Sequence, residues 1–415
     1  MKKWQWISLA GLALLAATAA LWLLDEPLDA QAQAWLQAPP AAAESAAYYQ
    51  LLGLDAPAGD DPQQAGRRLL QAHRQWRATH DFSAALAPVA GPRIERPEPV
   101  CALGEPGCLP QLRNQRAQLD ERLQRHAELL RRYAQLLALN DYRTLSQPSL
   151  DEPQAGFVSL ERSGRLRALQ ALAMAEDGRG AEALALLQRD VRQLRGWLAR
   201  ADNLILKMLL VRLLNHELDA IAVLYRDGLL PRPETQPALS QAERSLQGAM
   251  QREFALVGSG LLSLLDNPQT AAELGVLRWQ LAWLYKPRMT VNDSLPFYRR
   301  LAENSLLPAP DFARSLQTPV PDEPGLWRRL RNPVGVILGQ VARPDYVAYL
   351  ARLHDLDAKL VLFNALGQAV PSLDNPYDAG QRASWDAGRQ AYCFAGPLAD
   401  RHGLRCLAWA PPLAQ

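Results

Sequence analysis

Residues 160–226 read LERSGRLRALQALAMAEDGRGAEALALLQRDVRQLRGWLARADNLILKMLLVRLLNHELDAIAVLYR. Apolar residues return every three or four positions through Leu160–Glu176 and again through Ala181–Arg200, which is the period of an amphipathic helix. Gly178 and Gly180 turn the chain between these two, and Asp202–Arg226 forms a third helix that ends at Gly228. Three successive helices set the class: the body is mainly α. Composition agrees, because Ala and Leu dominate and aromatic residues are only 7%. With 45 Lys+Arg against 43 Asp+Glu the net charge is +2, and opposite charges are interspersed. That balance excludes a broad nucleic-acid surface, which shows as a local basic excess. A hydrophobic fraction of 48% excludes a disordered chain.

Towards the N-terminus, Ile7–Leu24 carries no charge, follows Lys2 and Lys3, and precedes Asp25 and Glu26. Eighteen helical residues span about 27 Å, close to the hydrocarbon thickness of a bilayer. Ala17-Thr18-Ala19 and Ala30-Gln31-Ala32 each fit the cleavage site of a secretory signal, the competing reading, but the run is longer than a secretory h-region and is read as an uncleaved transmembrane signal-anchor over 1–24. The lysines place its N-terminus in the cytoplasm and the rest of the chain, in a bacterium, in the periplasm. Residues 25–46 form a spacer, 47–357 a helical periplasmic domain, and 358–415 a tail containing a hairpin. The four cysteines all follow the anchor. In an oxidising compartment their proximity favours the pairs Cys101–Cys108 and Cys393–Cys406.

Within the body, Asp61 and Pro62 open a helix reaching His80, with Asp61 at the N-cap and Pro62 at the first position. Residues 81–110 are an irregular Pro- and Gly-rich excursion holding the first cysteine pair. Gln111–Asn140 carries the strongest apolar stripe, from Leu112 to Leu137. Ser240 and Glu243 form a capping box for a helix over Gln241–Leu265, and Thr270–Tyr285 forms another. Eight prolines break residues 286–335, leaving helices only at Ser294–Ser305 and Leu326–Leu330. A last helix spans Arg343–Asp357, and Lys359–Asn364 reads equally as its extension or as a strand. Ala391–Phe394 and Leu404–Trp409 are short strands that a Cys393–Cys406 bridge would join as a hairpin.

The segment with Ala171, Gly178, Gly180, Ala183 and Leu184 resembles one tetratricopeptide-type hairpin, which implies a repeat-like helical layer. No period of 34 residues continues it, so a plain helical bundle stands beside that reading. Asp374-Asn-Pro-Tyr-Asp-Ala-Gly380 with Trp385, Asp386 and Tyr392 is similar to the C-terminal end of type II secretion pseudopilins. The prepilin cleavage site of that family is absent here. The layout of anchor, Ala/Pro-rich spacer and helical body is similar to that of lipase-specific foldases, whose Arg-x-x-Phe-Asp-Tyr motif this chain lacks.

No Walker A, G-x-S-x-G, H-E-x-x-H or G-x-G-x-x-G sequence occurs, so neither a metal nor a cofactor is expected. Ser259 lies between two glycines inside a helical pattern, where small residues permit close packing. His73 and His80, with Asp81, are the best histidine pair. Asp355, Asp357, Asp374, Asp378 and Asp386 are the carboxylates available to a hydrolase, although Asp in turns commonly caps its own backbone. Trp279, Trp283, Tyr285, Asn292, Phe297 and Tyr298 concentrate aromatic surface around an irregular link. They fit either a junction core or a groove for a peptide or glycan. The expected function is a non-enzymatic, inner-membrane-anchored interaction or assembly factor for another envelope protein. A periplasmic hydrolase using the 355–386 carboxylates and an immunity-type inhibitor of a periplasmic toxin are the alternatives.

Overall fold

The computed structural model describes residues 22, 24–37, 44–79, 93–149, 151–153, 155–265, 278–317, 324–343, 345–368 and 372–410. Among these no helix is long and apolar enough to cross a membrane. The run expected to do so lies outside the described residues except for Trp22 and Leu24. The fold is mainly helical with a small C-terminal sheet, and it divides into two compact units. One comprises 1–40, 250–302 and 319–346, and the other 41–249, 303–318 and 347–415.

The larger unit is built on helices Phe157–Glu176, Gly180–Arg200 and Leu204–Arg226, each packed on the other two. All three pairs of helices are in contact, so each is covered on two sides by the others. Leu204–Arg226 buries sixteen of its residues and is capped by Asn203, whose side chain accepts the Leu206 N–H at 3.1 Å. The helix expected over 111–140 is three pieces, Cys108–Asn114, Arg116–Arg125 and Ala127–Ala138. Its breaks at Gln115 and His126 let the apolar stripe follow the surface of Phe157–Glu176, against which the latter two pieces pack. Asp61 caps Pro62–Thr79 as expected, accepting the Gln63 N–H at 2.8 Å.

The capping box at Ser240 and Glu243 forms, but it heads a single turn, Gln241–Arg244. Leu246 is fully buried and its N–H turns to Ser305 Oγ, so the helix restarts at Gln247. Helix Tyr346–Asn364 continues through residues 359–364 and across the expected boundary at 357. Burial explains the extension: Lys359 reaches inward to an ion pair with Asp219 at 2.7 Å. Both expected disulfides are formed. Cys393 and Cys406 are register partners on adjacent antiparallel strands, Ala391–Cys393 and Cys406–Ala408. A third strand, Ser384–Asp386, extends that sheet, and Asp374–Asn375 pairs separately with Asp378–Arg382. Asp378–Arg382 is exposed throughout and polar, so no alternating pattern announced it.

One buried group in the bundle opposes the fold. Glu217 is 1% exposed and neither carboxylate oxygen has a hydrogen-bond partner among the described residues, while Arg167 pairs at 2.8 Å with the neighbouring Asp190. Burial first, and then the Asp190 charge, pushes the Glu217 carboxyl well above its ordinary value. A carboxyl raised in the folded state loses stability as pH climbs from the unfolded value, about 4.3, towards the folded one. Glu217→Leu is therefore expected to stabilise the protein by about 1–2 kcal/mol at pH 7, with a smaller gain at pH 5. Urea unfolding at the two pH values, disulfides intact, measures this. A loss at both would mean that Glu217 is satisfied by bound water.

In the smaller unit, helices Gln247–Ser263 and Pro287–Asn304 carry a ring cluster in which Phe254 meets Trp35 at 6.0 Å and Tyr298 at 5.6 Å. Tyr346 lies 5.9 Å from Tyr298 and donates to Glu253 at 2.9 Å. The expected break before residue 294 does not occur. Pro287 is the first residue of its helix, and the Asp25 carboxylate caps it by accepting the N–H groups of Arg288 and Met289 at 2.7 and 3.2 Å. Proline also stands in the first turn of Ala309–Ser315, in the larger unit, and of Pro333–Val341, in the smaller, two helices the proline count had concealed.

Candidate functional site

Helix Leu204–Arg226 turns Met208, Val211, Arg212, Asn215, His216 and Asp219 to one side, the three-and-four spacing of a single face. This face floors a cavity of about 420 Å³ within the larger unit. The Cys101–Cys108 loop forms one wall through Ala102, Gly104, Glu105 and Pro106. Glycine is required there, because a Cβ on Gly104 would stand 2.8 Å from the Asp219 carboxyl carbon. The opposite wall is the disulfide-closed sheet with its 401–404 turn, while Arg165 and Arg352 enter from their own helices. The two cystine-pinned segments, 285 residues apart between Cys108 and Cys393, thus edge one cavity.

The lining carries five guanidinium groups, Arg165, Arg212, Arg352, Arg389 and Arg401, beside the imidazoles of His216 and His402. Against them stand Glu105, exposed at the rim, and Asp219, which Lys359 already neutralises. Glu161 holds Arg165 at 2.7 Å and Arg212 at 3.3 Å. Arg352 and Arg401 form no ion pair with any described residue. The Arg352 guanidinium lies 4.8 Å from the Tyr349 ring centre. Burial, and the Arg212 charge behind it, lower its pKa, although the Tyr349 and Asp355 charges act the other way.

Burial pushes His216 down to about 3, with Arg165, Arg212, Lys359 and His402 adding to the effect. At neutral pH it is a neutral imidazole, and the Arg212 Nε–H points at its Nε2 at 3.4 Å. Burial, then Arg352 and Arg212, lower His402 as well. Fixed guanidinium donors around a half-enclosed cavity suit an anion with two or more oxygens, which Arg binds through its planar fork. Among the described residues that line the cavity there is no serine, threonine or free cysteine.

The residues singled out from sequence lie elsewhere. Tyr285 and Tyr298 are buried in the smaller unit, where the Tyr285 hydroxyl donates to the Leu261 carbonyl at 2.7 Å. Asn292 is buried and clamps the spacer: it accepts from Asp29 N–H at 3.0 Å and donates to Glu26 at 2.9 Å and to the Pro27 carbonyl at 3.0 Å. Phe297 is half-buried beside Tyr298 and Tyr346, while Trp283 is 40% exposed. The side chain of Trp279 lies outside the described residues, as do His80 and Asp81. His73 is buried, with Nε2 3.4 Å from Asp151. Ser259 is exposed beside Gly258, whose close neighbour is Leu36.

Each carboxylate of the 355–386 region has a bond to its own fold. Asp355 pairs with Arg405 at 2.9 Å, and Asp357 accepts the Leu239 N–H at 2.7 Å. Asp374 faces Arg382 at 3.8 Å, while Asp378 and Asp386 accept N–H groups within their turns. Among the described residues no group of three or more His, Cys, Asp or Glu is placed to hold a metal. No protein-family model, curated protein or solved structure matches the chain.

Proposed function

We propose that this chain is a non-enzymatic interaction factor of the bacterial envelope, held in the inner membrane by residues 1–24 with its body in the periplasm, and that its cationic cavity grips an acidic segment of a partner protein. The observation that carries the reading is the pair Arg352 and Arg401, which face the cavity with no ion pair among the described residues. Guanidinium groups beside further positive charge are raised in energy until an anion neutralises them, so a carboxylate-bearing partner gains both Coulomb energy and bidentate hydrogen bonds. Two disulfides that use all four cysteines accord with an oxidising compartment.

The test is affinity capture of the full-length chain from membranes, with mass spectrometry, for wild type and for Arg212→Glu with Arg352→Glu. A stoichiometric partner is expected on the wild type and a loss of at least about tenfold on the variant, the effect of ~1.4 kcal/mol. An unchanged urea midpoint would show that the variant folds. A partner that binds the charge-reversed chain equally well would remove the cavity from the reading. A topology reporter fused after residue 30 that is active only in the cytoplasm would overturn the compartment.

A further inference from the structure

Helix Leu326–Arg331, sequence LWRRLR, buries none of its side chains. Leu326 is 74% exposed, Trp327 60% and Leu330 53%, and their spacing sets them on one face. The next helix, Pro333–Val341, packs against it and against Arg278–Leu284. Gly335 and Gly339 turn its other side to the body, since a Cβ on Gly335 would stand 2.1 Å from Thr290 Oγ1. Residues two positions further on lie about 200° round the helix. Ile337 and Val341 accordingly point away, and Trp283 and Leu284 on Arg278–Leu284 are exposed as well.

Asn332 ties helix Pro333–Val341 to helix Pro287–Asn304 and to the link before it: its Oδ1 accepts Lys286 N–H at 2.8 Å and Gly335 N–H at 3.2 Å, and its Nδ2 donates to Thr290. Of the eleven large apolar side chains exposed among the described residues, eight belong to this smaller unit, although it holds under a third of the chain. An apolar face of this kind, fixed by a buried Asn, is built to be covered.

What covers it follows from where the N-terminal run ends. Leu24, the last of the eighteen uncharged residues, is exposed, and its carbonyl accepts from Arg331 at 2.7 Å. Trp22 meets Trp327 edge-on at 5.5 Å. Arg331, half-buried at the border of the face, has a carbonyl partner and no carboxylate within ion-pair distance among the described residues. Exposed Leu, Ile and Trp beside an unneutralised arginine is the pattern of a surface lying in a membrane interface.

We infer that the face made by Trp283, Leu284, Leu326, Trp327, Ile337 and Val341 lies on a lipid bilayer with anionic head groups, as a second membrane contact beside the N-terminal run. Arg331 then meets a lipid phosphate. The inference uses neither the cationic cavity nor its ligand.

Its test is the full-length chain in phosphatidylethanolamine–phosphatidylglycerol vesicles doped with a lipid carrying a photoactivatable diazirine in its acyl chain, with adducts mapped by peptide mass spectrometry. Adducts are expected on 278–284 and 326–341 as well as on 1–24. In the variant Trp327→Gln, Ile337→Gln, Val341→Gln those on 326–341 should fall at least about tenfold, a shift that ~1.4 kcal/mol of lost apolar burial produces. Labelling of 1–24 should not change, and because all three positions are exposed the variant should keep its urea midpoint. Adducts confined to 1–24 in the wild type would overturn the inference. So would equal protection of the face from hydroxyl radicals without lipid, whether by residues 1–21 or by a second copy seen in sedimentation.

Discussion

Replacing Arg405 by methionine is expected to cost about 3–5 kcal/mol of stability, the usual consequence of stripping one partner from a buried ion pair. The Arg405 and Asp355 side chains are 7% and 6% exposed and meet at 2.9 Å. The same guanidinium donates to the carbonyls of Leu398 at 2.8 Å and Phe394 at 3.2 Å, and Tyr377 donates to Asp355 at 2.7 Å. One side chain therefore fastens the disulfide-closed sheet, its loop and helix Tyr346–Asn364 together. Burial pushes the Asp355 carboxyl up, while Arg405 and Tyr377 hold it down.

Without Arg405 that carboxyl rises further. A raised folded pKa weakens the fold as pH increases above the unfolded value of about 3.9, so the cost is largest near neutrality and shrinks towards pH 4. Urea unfolding with the disulfides intact measures it, against Arg389→Met, whose exposed partner at 3.7 Å should matter by no more than about 0.5 kcal/mol. The double variant Arg405→Met, Asp355→Leu should recover part of the loss, because no charge is left buried alone. Equal midpoints for Arg405→Met and Arg389→Met would remove the pair as the fastening.

Features decided by neighbours in sequence were legible, and those decided at a distance were not. Asp61 and Ser240 cap their helices two and three residues on, and each disulfide joins nearby cysteines. Pro287 is different. It reads as a break because nothing local caps the helix it starts; the cap is Asp25, 263 residues before the Arg288 whose N–H it accepts. Tyr285 and Tyr298 have the same spacing in a core as in a groove, and only their meetings with Leu261 and Phe254 bury them. The cavity was hidden for a similar reason. Arg165, Arg212, Arg352 and Arg401 each look locally like one charge on a solvated face, and the bundle and two cystine-pinned segments bring them together. The polar row Arg212, Asn215, His216 and Asp219 on one face of a helix rich in Leu, Ile and Val was the available sign.

A second large effect is expected at Arg132, and its neighbour supplies the control. Both Arg131 and Arg132 bond Glu128, at 2.6 and 2.8 Å, yet the Arg131 side chain is 54% exposed and that of Arg132 0%. Arg132 also reaches the carbonyls of Leu54, Ala56, Pro57 and Asp60 at 2.7–3.2 Å, four of those in the turn between helices Ala46–Leu52 and Pro62–Thr79. No other side chain could donate to four carbonyls from one planar group. Arg132→Met keeps much of the volume but leaves those oxygens to compete for water they only partly reach, at a cost of about 3–5 kcal/mol. Arg131→Met removes a surface pair with the same Glu128 and should cost under ~0.5 kcal/mol. Arg132→Lys should restore little, since an ammonium lacks the fork. Urea midpoints of the three variants decide the matter, and a loss at Arg132→Met no greater than at Arg131→Met would show that the turn holds without its arginine.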